Sequence, residues 1–470
     1  MQFSPSESIR YHDFALELRS ESRGVIAGRV SASPVGESSD FAFRYPISPQ
    51  EINEAMASVT YAASPYLKRS APSASYDPII GLGERLFQAL LRESPAGRLF
   101  RLAQDAAQSR SDGLRIRITA HDPEVLTLPW EFMFDGAQSM FMALSLRTPI
   151  VRRMADPNPP ALRPVTGPLR VLVAAAEVYD FGAAEEIEIL QQLQAESGLL
   201  DITVLEDATL PRLADTLRES AFHVVHFIAT GAYGSGRGRW SKIKPEDGRN
   251  LGQGLLLVGA DAAAKDKMES AEFVPAAHLH DLIAASPEVR FVMLSACETD
   301  RMAAELSRAT PLVLGMRGPI TDRTRHTITS ALYGALVAGQ PLEAAVTAGR
   351  QAVDRSQPGS REWGLPTLYV ASPHGILLTP GAKGITATAS LNLGELVIEA
   401  TGTVAAAAPA AVPREQLRLQ AELDIEQRNL ESLRAQQDLL GAKLPDFIKR
   451  QIDEAVDKVA ELHSKLAAFG

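Results

Sequence analysis

The stretch RFVMLSACETD, residues 290–300, sets an almost unbroken apolar run against an abruptly polar end. A run of this kind reads as a strand buried on both faces, and such strands belong to mostly parallel sheets covered by helices. Similar runs lie outward from it: RVLVAAA (170–176), DITVLED (201–207) and HVVHFIA (223–229) upstream, PLVLGM (311–316) and LPTLYVAS (365–372) downstream. Helical periods separate them, among them Glu185 to Glu196 and Pro211 to Glu219. The fold class expected is α/β, a mostly parallel sheet with helices on both faces. Loops at the carboxyl ends of such strands carry the ligand sites, which points to CETD and to ATGAYGSG (229–236).

The flanks read differently. Residues 1–60 alternate apolar and polar positions in FALELRS, GVIAGRVSAS and FAFRYPIS, predicting an N-terminal β module. From Pro78 the spacing becomes helical, with Ile79, Ile80, Leu82, Leu86, Phe87, Leu90 and Leu91 on one side, and GLRIRITA then reads as a strand leading into LTLPWEFMFD. Trp130 in that segment is expected to be buried with its indole N–H bonded. The α/β domain is placed at 61–378, followed at 379–413 by a weak β segment and the Ala/Pro-rich linker TGTVAAAAPAAVP. Residues 414–470 predict a helical hairpin or coiled coil, because apolar residues recur at three-and-four spacing from Ile448 to Phe469. Its stripe, Ile452, Val459, Leu462 and Leu466, needs a cover, so self-association or capture of a partner's helices is expected.

Composition narrows the function classes. The chain has 470 residues, 45% hydrophobic and 22% charged, with a formal charge of −10 from 47 basic and 57 acidic side chains. That balance opposes nucleic acid or an anionic membrane as the main partner. The apolar runs fall far short of the roughly 20 residues that span a bilayer. The start MQFSPSESIRYHDF has no charged-then-apolar leader, and with one cysteine no internal disulfide forms, so a cytoplasmic protein is expected.

Cys297 falls where a buried strand would deliver its side chain to the sheet rim, which makes it a nucleophile candidate, although free cysteines commonly serve as small buried apolar groups. Reactivity needs a partner that stabilises the thiolate. His223 and His226 take opposite strand faces by parity, and the strand end holds Thr230. His278, His280 and His326 read as helix-face residues, whereas His374 lies in the turn SPHGI and could approach a cleft. HLHD (278–281) lacks further ligands at a metal-site spacing, so neither metal nor cofactor is assigned. The glycines of GAYGSGRGRW (231–240) are not followed by the helix that a phosphate loop requires.

Taken in order, LPWEFMFD (128–135), PIVRRM (149–154), VVHFIATG (224–231), VMLSACETD (292–300), LVLGMRGPITD (312–322), ALYGALVAGQPLEAAVTAGRQAV (331–353) and WGLPTLYV (363–370) resemble the CHAT family, the caspase-HetF-associated branch of the caspase-like cysteine peptidase clan. The resemblance covers roughly residues 60 to 378. It implies a caspase-like fold and, in active members, a dyad of histidine from HFxxHG and cysteine from SACxT. SACET keeps the cysteine as Cys297, whereas HFIATG carries Thr230 at the position of the catalytic histidine, and His226 matches the first, structural histidine. A hydroxyl does not accept a proton near neutral pH as imidazole does. The resemblance therefore implies a catalytically impaired scaffold, sensor or adaptor in a bacterial defence or signalling system. The alternative is an active cysteine endopeptidase whose base comes from elsewhere, His226 or His374, after a partner binds. Asp135, Glu298, Asp300 and Asp322 are candidates for a specificity pocket by motif proximity.

Overall fold

The computed structural model describes residues 9–22, 24–63, 77–176, 182–233, 252–259 and 271–379, with three isolated helical positions, Val456, Ala460 and Lys465. Its strands in chain order are β1 (Tyr11–Ser22), β2 (Val25–Ala32), β3 (Phe41–Arg44), β4 (Gly113–Ala120), β5 (Phe134–Asp135), β6 (Met140–Phe141), β7 (Ile150–Met154), β8 (Val165–Thr166), β9 (Leu169–Ala176), β10 (Leu200–Leu205), β11 (Val224–Tyr233), β12 (Gln253–Leu257), β13 (Glu272–Pro275), β14 (Phe291–Ser295), β15 (Leu312–Met316), β16 (Pro366–Val370) and β17 (Leu378–Thr379). The helices are α1 (Pro49–Ala63), α2 (Pro78–Phe87), α3 (Pro95–Gln108), α4 (Pro123–Leu126), α5 (Ala183–Ser197), α6 (Leu210–Glu219), α7 (Ala276–Ala284), α8 (Asp300–Leu306), α9 (Asp322–Val337) and α10 (Leu342–Ser356).

Every residue of β14, β15 and β16 is buried, which is why their sequences are continuous apolar runs instead of alternating ones. They stand in the middle of one large sheet of order β10-β9-β11-β14-β15-β16-β7-β4-β1-β2-β3, with β12 and β13 added to β11. Pairing is parallel from β10 to β15 and again from β16 to β1, and the two blocks meet antiparallel at β15 and β16. The molecule is a mixed α/β structure built on a large, mostly parallel sheet.

Register assigns the faces. His226 is opposite Met293, Met293 opposite Leu314, and Leu314 opposite Leu368, whereas Arg152 pairs with Tyr369 one row away and so points to the other side. The His226 face receives α5, α9 and α10, and the Arg152 face receives α3, α8 and the segment 126–131. Asp77 and Thr209 cap α2 and α6 by accepting backbone N–H groups, each just before a proline in the first turn.

On the Arg152 face, Trp130 is fully buried and its indole N–H donates to the Val125 carbonyl at 3.0 Å, as expected. Beside it Glu131 and Arg152, both wholly buried, form an ion pair with an Nε–Oε1 distance of 3.0 Å. Arg152 also donates to the carbonyls of Leu126 and Leu128, and Arg317 donates to those of Thr127 and Leu128. Arg350 on α10 donates to the Trp363 and Pro366 carbonyls at 3.0 and 2.8 Å. The segments LPWEF, PIVRRM, AGRQAV and WGLP are thus joined by buried arginines that satisfy backbone carbonyls in an apolar setting.

The first 60 residues are not a separate β module. Eight residues of β1, Tyr11 to Leu18, pair parallel with Gly113 to Ala120 of β4, and α1 runs across the expected boundary to Ala63. Asp13 on β1 accepts from Arg115 Nε at 2.6 Å and lies 3.1 Å from Arg117 Nε, while Arg115 Nη1 donates to Glu343 of α10 at 2.6 Å. Residues through Ala389 form one compact unit and Ser390–Gly470 a second. The expected β segment at 379–413 and the stripe Ile452, Val459, Leu462 and Leu466 lie outside the described residues. Val456, which is not one of the stripe residues, is helical and 38% exposed. Among the described residues no helix is long and apolar enough to cross a membrane.

Candidate functional site

Parallel pairing of β11 with β14 sets Ile228 opposite Ser295. Two residues further along each chain come Thr230 and Cys297, on the face shared with His226. Contact between the two strand ends is through backbone: a Cβ added to Gly231 would lie 1.7 Å from the Cys297 carbonyl oxygen, so only glycine allows this approach. The turn after Cys297 is fixed from several sides. Thr299 N–H donates to the Met316 carbonyl at 2.7 Å, and Thr299 Oγ1 donates to Ala296 and accepts from the Met316 N–H. Gln253 of β12 accepts from Arg301 and Met302 N–H at 2.8 and 3.0 Å, capping α8, and donates to Asp300 at 3.0 Å. Glu298, next to the cysteine, takes φ +52°, a left-handed conformation that is costly for a residue with a Cβ.

Cys297 is partly buried, and burial pushes its thiol up. The Ile320 N–H and the Arg325 guanidinium oppose that effect, while Glu298 and Asp322 add to it. Thr230 Oγ1 is buried and has no hydrogen-bond partner among the described residues.

The two histidines proposed as substitute bases are placed away from the thiol. His226 is fully buried four residues below Thr230, roughly 13 Å along a strand. Its ring stacks on Tyr333 at 5.7 Å and 7°, Nδ1 lies 3.3 Å from the tyrosine hydroxyl, and Nε2 lies 3.2 Å from Glu186. His374 follows β16, which runs antiparallel to β15 with Val370 opposite Leu312, so it sits at the end of the sheet opposite Cys297. The carboxylates divide as well. Asp135 caps the Ala137 N–H at 3.0 Å and Asp300 is spent on Gln253, 3.8 Å from Arg317. Neither is among the groups that chiefly act on the thiol. Glu298 and Asp322 are; Asp322 is exposed, 3.3 Å from Arg325, and partial burial raises its carboxyl.

Sequence reasoning missed Glu186. This carboxylate on α5 is wholly buried and accepts from Ser295 Oγ and from Thr329 Oγ1 at 2.5 Å, with Arg325 Nε 3.2 Å away. Burial would raise it, but His226, Arg325 and Thr329 bring it down to about 2. The signal available was Arg325, Thr329 and Tyr333, a polar stripe at spacing four on one helix. Among the described residues no group of three or more His, Cys, Asp or Glu could hold a metal.

Comparison with solved structures finds separase in its complex with securin from Saccharomyces cerevisiae. Two determinations give TM-scores of 0.34 and 0.30 at 11% and 10% identity, covering 70% and 69% of this chain. The match spans 23% and 22% of the separase chain. No curated protein matches. The model of the CHAT domain matches residues 81–372, from α2 to the end of the β16 segment and well over half of the sequence. The chain belongs to the CHAT-domain family.

Proposed function

We propose that this protein is a catalytically impaired, caspase-like CHAT protein that works as a scaffold, sensor or adaptor through protein–protein contacts in a bacterial defence or signalling system. One feature supports the reading: the resemblance aligns Thr230 with the histidine of HFxxHG, and its hydroxyl, near the end of the strand paired with the one that leads to Cys297, has no hydrogen-bond partner among the described residues. General acid–base catalysis is worth about 10²–10⁴-fold, and a burial-raised thiol without a base is a poor nucleophile at neutral pH. The three-and-four spacing of apolar residues from Ile448 to Phe469 supports self-association, or binding of a partner's helices, through Ile452, Val459, Leu462 and Leu466.

A second reading, a cysteine endopeptidase completed by a partner, draws support from the left-handed Glu298 that keeps the turn of Cys297 under strain. A fluorogenic peptide panel and a thiol-directed activity probe on wild type, Cys297→Ala and Thr230→His separate the two. Wild type is expected to match Cys297→Ala, and Thr230→His to gain thiol reactivity. Cleavage by wild type above the Cys297→Ala background overturns the impaired reading.

A further inference from the structure

Three elements bring polar groups to one buried carboxylate of α5, close to the strand end that carries the thiol. Ser295 Oγ, two residues before Cys297 on β14, donates to Glu186 at 2.9 and 3.1 Å. Thr329 and Arg325 reach it from α9, and His226 from β11. The other end of the same joint is tied by His326 of α9, whose Nε2 lies 2.9 Å from the Gly182 carbonyl at the start of α5. A buried carboxylate is tolerated only when its partners are this complete, so moving any one of them is costly. Ile320, just before α9, and Asp322 and Arg325 in its first turn also act on the thiol, the Ile320 N–H and Arg325 lowering it and Asp322 raising it.

We propose that Glu186 is the positioning residue of the thiol site: by binding Ser295 on β14 and Thr329 and Arg325 on α9 together it fixes where the Arg325 guanidinium stands relative to the strand end that carries Cys297, while drawing part of that positive charge onto itself. This rests on the reading of Cys297 as the nucleophile position of an impaired CHAT site. The charged groups acting on the sulfur are Glu298 from its own turn and Asp322 and Arg325 from α9; those acting on Glu186 include His226 and Arg325.

Cys297 is the sole cysteine, so alkylation of the full chain by iodoacetamide reads this site alone. Arg325→Gln removes the cation and is expected to slow alkylation about threefold or more near pH 7.5, the equivalent of roughly half a pH unit. Glu186→Gln releases the guanidinium toward the sulfur and is expected to speed it by a similar factor. A purely structural role predicts otherwise, since loosening the fold exposes the thiol and accelerates both variants. Arg325→Lys, which keeps the charge, is expected to stay within about twofold of wild type. The proposal is overturned if Arg325→Gln is unchanged or faster, or if Glu186→Gln is unchanged or slower. Should Glu186→Gln fail to fold by thermal melting, the two Arg325 variants decide alone. Peptide cleavage by wild type would refute the impaired reading while leaving this result standing, because alkylation requires no turnover.

Discussion

Asp13→Asn tests whether the N-terminal strands are part of the sheet or a detachable addition. The Asp13 carboxylate bridges two guanidiniums, Arg115 Nε at 2.6 Å and Arg117 Nε at 3.1 Å, whose side chains are 2% and 4% exposed. After the substitution Arg115 keeps Glu343, whereas Arg117 keeps only the carbonyls of Val370, Ser372 and Pro373. Removing one partner of a buried pair costs about 3–5 kcal/mol. Asp13 is 27% exposed and Asn retains an acceptor, so the loss expected is nearer 2–3 kcal/mol, to order of magnitude. With a denaturant slope of about 5 kcal/mol/M in guanidinium chloride, the unfolding midpoint falls by ~0.5 M. Glu21→Gln, at the exposed end of the same strand, is the control and leaves the midpoint in place. Hydrogen exchange gives the second readout: β1 amides are protected together with those of β4. A shift below about 0.1 M, or β1 exchanging freely while β4 stays protected, refutes the integration of the first strands into the sheet.

Trp130→Ala empties a fully buried indole site and is expected to lower stability by about 3–5 kcal/mol in a denaturant melt; a loss under about 1 kcal/mol contradicts its place in the core. Glu186, held at about 2 against an ordinary 4.5, contributes stability that is complete above pH 4.5 and lost as pH falls toward 2. That difference amounts to roughly 3 kcal/mol, so wild type should lose that much more than Glu186→Gln across this interval, and parallel acid melts would count against it. Truncation after Pro409 is expected to reduce the light-scattering mass to a single chain; equal single-chain masses for full-length and truncated protein reject assembly through the C-terminal helices.

What was legible in the sequence follows from what burial does to composition. FVMLS and LVLGM are covered on both sides and so became unbroken apolar runs, which identified the central strands; that Thr230 and Cys297 come at neighbouring ends follows from the pairing of β11 with β14. Strand composition does not carry direction or distant partners. Nothing in LPTLYVAS marks it as antiparallel to its neighbour, so the sequence could not show that the turn of His374 lies at the other end of the sheet from Cys297. The alternation in FALELRS suited a small antiparallel sheet, and its parallel partner lies far downstream, with Asp13 and Arg115 separated by 102 positions. Parity gave His226 a strand face but not its partner, because its neighbour Glu186 comes from a helix whose charged sequence resembles a solvated one.

The antiparallel junction of β15 and β16 has a consequence for synthesis. Among the described residues β16 is the last strand of the large sheet to be made, yet it sits between β15 and β7, with Tyr369 paired to Arg152. Until the ribosome has released residues 366–370, at about 5–20 residues per second, β7 and β15 are two open edges with unpaired backbone groups and apolar flanks. The nascent chain therefore carries two half-sheets that invite wrong pairing or chaperone capture, and a product ending before Pro366 keeps both edges permanently.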